Sequence, residues 1–146
     1  MSYLTKGLTF NALRYANTAR LPVFKDAHGR IAHAPDGSDW SIAEWLQATV
    51  GELGELANLL KKVKRGDLTM EQAQADIARE FADVATYLDI FAMRCGVDLG
   101  RAIETKFNEV SRRVDADVFI GPNSYITKLD PDAITSPVTL KDVGDG

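Results

Sequence analysis

Two pairs of acids pose the first chemical question of this sequence. Glu52 and Glu55 lie three apart in "TVGELGELANLLKKVKRG", and Glu80 and Asp83 lie three apart in "REFADVATYLDIFAM", with 24 residues between the pairs. That spacing puts both acids of a pair on one side of a helix. Each acid immediately precedes an apolar residue: Leu53, Leu56, Phe81 and Val84 respectively. At about 100° per residue the acids therefore border an apolar seam instead of pointing away from it. Folding the two segments back on each other brings the pairs face to face. Four carboxylates in partly desolvated space repel, so they must either hold protons or share a cation. Oxygen ligands without His or Cys suit a hard ion, Mg²⁺ or Mn²⁺. Mg²⁺ keeps waters and takes phosphate oxygens as further ligands, which suits a phosphate ester or anhydride as substrate.

An E-x-x-E pair alone is usually a solvated helix face. Solvated helix acids, however, commonly have a base four residues away. Glu52, Glu55 and Glu80 have none at that distance, and Asp83 has only Arg79. Two unpartnered pairs in matching register beside one core favour the metal.

The elements that must position these acids are helices. Ser41 and Glu44 form a capping box, with Trp40 and Trp45 at the two positions of a hydrophobic staple. The helix they open runs to about Lys64, where Gly66 closes it. Its apolar row is Ile42, Leu46, Thr49, Leu53, Leu56, Leu60 and Val63, with spacings alternating four and three. Thr69 and Gln72 open a second helix that continues to Cys95, with Gly96 as its stop and a row of Ile77, Phe81, Val84, Leu88, Phe91 and Cys95. A third starts at Asp98 and carries Leu99, Ile103, Phe107, Val110 and Val114. A weaker helix covers about Thr9–Arg20 and ends at Pro22. Two helices with such rows across a short loop predict an antiparallel hairpin, and the whole chain an all-α helical bundle. Residues 21–40 are rich in turn formers, and a small hairpin around His28 and Gly29 is expected there. From about Ala116, three prolines and no helical period predict an extended or partly disordered arm. The domain boundaries expected are 1–115, with a core at 40–115, and a tail at 116–146.

Bulk properties narrow the function classes. The 146 residues fit one domain, 45% hydrophobic and 26% charged. A formal charge of −4 argues against a duplex nucleic-acid surface. Cys95 is the single cysteine, which excludes an internal disulfide framework and a thiolate zinc cage; it is expected to pack as a small apolar residue in a reducing compartment. "MSYLTKGLTF" has no basic leader or long apolar core, and no apolar run approaches the roughly 20 residues of a membrane span, so a cytoplasmic protein is expected.

"GELGELANLLKK" followed by "EFADVATYLDIFAMRCGVDLGRAIETKFNEVSRRV" resembles the MazG-like all-α nucleoside triphosphate pyrophosphohydrolases, whose signature is E-x-x-E, a variable gap, then E-x-x-D. The likeness covers about residues 40–115. It implies that Glu52, Glu55, Glu80 and Asp83 bind Mg²⁺ and act in catalysis. The implied reaction is hydrolysis of a (d)NTP to the monophosphate and diphosphate by an activated water, which Glu55 is expected to orient or deprotonate. It also implies a homodimer or homotetramer with the substrate pocket near a subunit interface; three core helices make an incomplete bundle in any case. For the phosphates, Lys106 aligns with the family's basic position and precedes Phe107 at the same offset as the acids. Asn108, Arg112 and Arg113 on the same helix are further candidates, and Lys62 continues the Glu52/Glu55 stripe. Tyr87, one turn beyond Asp83, is the candidate for contact with a base. Trp40 and Trp45 read as staple packing. Asn11, Asn17 and Phe24 have no spacing that supports a base contact, and His28 and His33 read as surface residues. A phosphoribosyl-ATP or alarmone substrate, or a non-catalytic helical interaction module, are the alternatives.

Overall fold

The computed structural model describes residues 7–25, 28–29, 39–121 and 126–128. The chain divides into two compact units, residues 1–99 and 100–146. The first holds α1 (Phe10–Arg20), a 3-10 turn at Leu21–Val23, α2 (Ile42–Arg65) and α3 (Met70–Arg94). The second holds all but the first residue of α4 (Leu99–Arg113), then β1 (Phe119–Ile120) and β2 (Ile126–Thr127). The fold is all-α apart from that short antiparallel pair, as expected. No helix is long and apolar enough to cross a membrane among the described residues.

The helix ends follow from local chemistry. Ser41 and Glu44 bond each other's backbone N–H groups in a complete capping box, and Thr69 and Gln72 do the same for α3. α2 stops at Gly66, whose φ of 83° lies in the left-handed region that favours glycine. Trp40 packs on Trp45 with ring centroids 4.8 Å apart, the staple that fixes the entry to α2. The expected hairpin around His28 falls largely on residues 30–32, outside the described residues, as does His33.

α3 packs against α2 on one side and α1 on another. Trp45 is fully buried, with Leu21 and Ile90 beside it, and Trp40, Tyr87, Phe91 and Met93 close over this cluster. The Trp45 indole N–H donates to Asp39, whose other oxygen holds Arg94 at 2.6 Å.

The inward face of the hairpin is only in part the row the periodicity singled out. Much of that row is exposed: Ile42, Leu46, Leu53 and Leu60 on α2, Phe81 and Leu88 on α3, with Leu53 at 48% and Phe81 at 59%. A covered row instead runs through Trp45, Thr49, Glu52, Leu56, Leu59 and Val63 on α2, and Ala73, Ile77, Glu80, Val84, Tyr87 and Phe91 on α3, sharing Thr49, Leu56, Val63, Ile77, Val84 and Phe91 with the predicted one. Both sets obey the same four-three alternation, so spacing alone could not choose between them. Hydrophobicity favoured the leucine row, but a seam that carries acids needs the other. Cys95 is likewise corrected: it is exposed, at the C-cap of α3 just past the packed turns.

In the second unit, both ends of the Asn108 side-chain amide bond the backbone of Ile120, at 2.9 and 2.8 Å. This ties β1 to α4, with Arg112 lying 5.9 Å from the centroid of the buried Phe119 ring. The described part of the expected arm is therefore extended but anchored.

Candidate metal centre

The α2–α3 seam places Glu52 and Glu80 at covered positions, not merely beside them. Asp83, one turn beyond Glu80, sits at the exposed rim. One carboxylate oxygen from each of Glu52, Glu80 and Asp83 comes within 4.8 Å of the others. No cation among the described residues pairs with them. Arg79, the base four residues before Asp83, bonds Asp76 instead. Burial pushes the Glu52 carboxyl above the usual glutamate range, and the charges of Asp83, Glu55 and Glu80 push it the same way.

The donor set fits a hard divalent cation. Three anionic oxygens converge from two helices, no softer ligand is among them, and the open side at Asp83 leaves room for water or further oxygen ligands. Glu55 stays outside this trio. It is exposed, close enough for its charge to act on Glu52.

Tyr87 completes the local picture. Its ring lies 6.2 Å from that of Trp45, and its hydroxyl is held in the neutral form by burial and by the charges of Glu52 and Asp83, with Arg20 acting in the opposite sense. Lys62 is exposed near the end of α2, ten residues and so about 15 Å along the axis from Glu52. Lys106, expected at a buried edge, is instead exposed and paired with Glu109 one turn on. Arg113 is exposed, Arg112 lies against Phe119, and Asn108 holds Ile120.

Sequence reasoning missed a second polar site on the opposite flank of α3. Asp89 is 1% exposed and accepts from Arg14 Nε at 3.0 Å and Asn17 Nδ2 at 2.9 Å. Arg14 also donates to the Val97 carbonyl at 3.0 Å, and Asn17 reaches the Thr86 carbonyl at 3.4 Å. Asn17 is thus a buried clamp between α1 and α3. The available signal was the lone acid in the apolar run "YLDIFAM", since an acid there needs a partner.

No protein-family model matches the chain, and no solved structure does. Among curated proteins the chain is similar to human dCTP pyrophosphatase 1, at 34% identity over 94 residues. The match covers 62% of this chain and 55% of that protein, so the chain spans about half the length of the relative it resembles.

Proposed function

We propose that this chain is a MazG-like nucleotide pyrophosphohydrolase that uses Mg²⁺, with Mn²⁺ as a substitute, to release diphosphate from a (d)NTP. The observation that carries this reading is the meeting of Glu52, Glu80 and Asp83 oxygens within 4.8 Å, without a protein cation. Similarity to a pyrophosphatase named for dCTP supports the same chemistry and puts that nucleotide first among substrates to test. A divalent ion held there supplies Lewis-acid neutralisation of the phosphate oxygens. Glu52, Glu80 and Asp83 hold and orient that charge. Glu55, exposed and near Glu52, is the acid this reading assigns to orient or deprotonate the attacking water. The half-buried Tyr87, packed against Trp45, offers a ring face to a base.

The exposed apolar row of Ile42, Leu46, Leu53, Leu60, Phe81 and Leu88 supports assembly into a homodimer or homotetramer. The unpaired Cys95 fits a reducing cytoplasm.

A diphosphate-release screen over the eight canonical NTPs and dNTPs with Mg²⁺ tests the reading. Glu52→Gln and Asp83→Asn are expected to lower turnover on the order of a hundredfold. Full activity in both variants would remove the acidic site from the mechanism. Faster cleavage of phosphoribosyl-ATP or of a guanosine polyphosphate would reassign the substrate.

A further inference from the structure

Within the first unit, the sequence offered only Lys62 as a phosphate-binding cation for the acidic cluster. Lys62 lies about three helical turns from Glu52 along α2. The packing of α1 on α3 supplies another. The two helices run antiparallel: Arg14 bonds Asp89 and Val97, and Asn17, one turn later, bonds Asp89 and Thr86. Each step forward along α1 is thus a step back along α3. Continued by one turn, this register brings Arg20 alongside the segment around Asp83 to Tyr87. Leu21, immediately after Arg20, confirms this register, because it is buried in the cluster over which Tyr87 closes.

Arg20 is exposed, and its guanidinium makes no ion pair or hydrogen bond among the described residues. Its charge nevertheless acts on the Tyr87 hydroxyl, as do the opposite charges of Glu52 and Asp83. One phenol therefore lies within the fields of both the acids and this guanidinium. The alternative role for Arg20 is compensation of the α1 dipole, since it occupies the last helical turn. A dipole partner needs only positive charge, whereas a phosphate clamp exploits the planar fork that bonds two oxygens at once.

Resting on the hydrolase reading above, we propose that Arg20 grips the substrate's phosphate chain from the α1 side, opposite the Glu52/Glu80/Asp83 cluster. The three carboxylates would then hold the divalent ion, and the guanidinium would bond the phosphate oxygens.

The test compares the full-length wild-type protein with Arg20→Ala, Arg20→Lys and the control Lys61→Ala. Steady-state hydrolysis of the eight nucleotides with Mg²⁺ is measured beside calorimetric binding of inorganic triphosphate with Mg²⁺. Arg20→Ala is expected to raise KM and weaken triphosphate binding by about ten- to a hundredfold, the range for hydrogen bonds to charged groups. Arg20→Lys should recover only part of this, and Lys61→Ala should behave as wild type. The midpoint of thermal unfolding should be nearly the same in all four. If KM and triphosphate affinity in Arg20→Ala stay within about twofold of an active wild type, less than a single charged hydrogen bond contributes, Arg20 is only a helix-end charge. If the wild type cleaves no nucleotide, the hydrolase reading fails and the calorimetry alone decides on Arg20. Triphosphate binding lost in Arg20→Ala then keeps the clamp; binding that is absent or unchanged overturns it.

Discussion

α3 carries a covered carboxylate on each of two flanks, and the two are handled in opposite ways. Toward α1, Asp89 receives a guanidinium, an amide and near-complete burial. Toward α2, Glu52 and Glu80 meet Asp83 and no cation among the described residues. The first arrangement is internally satisfied, and its effect is to fix α1 in register on α3. The second lowers the stability of the seam unless something arrives from outside. A covered acid with its partners built in belongs to the architecture; acids left in mutual repulsion at a seam are, on the reading proposed above, where an ion would bind.

The largest effect expected from this contrast follows Arg14→Ala. It leaves Asp89 buried with its main counter-charge gone, and should destabilise by about 3 kcal/mol or more. Denaturant melts measure it; a loss below about 1 kcal/mol, the scale of an exposed pair, would mean that Asp89 is not held by charge. Next in size is the response to Mg²⁺. At a concentration a hundred times its dissociation constant the ion should stabilise wild type by about 2.7 kcal/mol. Glu80→Gln should largely lose this thermal shift, while Arg14→Ala, though weaker, should keep it. Equal shifts in wild type and Glu80→Gln would erase the distinction between the two flanks.

The smallest effect is the pH response of the ion-free protein. The Glu52 pKa is raised in the fold, so the folded state holds that proton more tightly than the unfolded chain does. Its contribution is complete below the ordinary 4.5 and is lost as pH rises through the raised value. Ion-free wild type should therefore weaken over that interval. Glu52→Gln should flatten the curve and add a few tenths of a kcal/mol at neutral pH, the scale of relieved like-charge pairs. Titrated thermal melts in a chelating buffer read both, and an identical pH slope in the variant would count against Glu52 as the strained member.

Much of this was legible in the residues. The two capping boxes, the tryptophan staple and the glycine stop at Gly66 are local chemistry, and they appear where the sequence places them. The approach of Glu52 to Glu80 and Asp83 across the hairpin followed from spacing, but Glu55, expected with them, stays outside the trio. What spacing could not decide was rotation: the row through Leu53 and the row through Glu52 share Thr49, Leu56 and Val63 and the same period, and hydrophobicity favoured the members that are exposed. Arg14 and Asn17 were hidden for a different reason. Their partner Asp89 lies more than 70 residues away, and no periodicity connects a weak N-terminal helix to a particular residue of a distant one. Arg20 was obscured by its position at a helix end, where positive charge has a routine explanation.

The reciprocal caps have one more consequence. α2 is 24 residues long and α3 is 25, and Glu52, Glu80 and Asp83 all lie well inside the capped ends. Helix fraying is confined to terminal turns, so it does not reach these acids. Backbone amides around residues 52 and 83 should exchange with deuterium only when the hairpin opens as a unit, so the spacing of the three carboxylates is set by the firmest part of both helices.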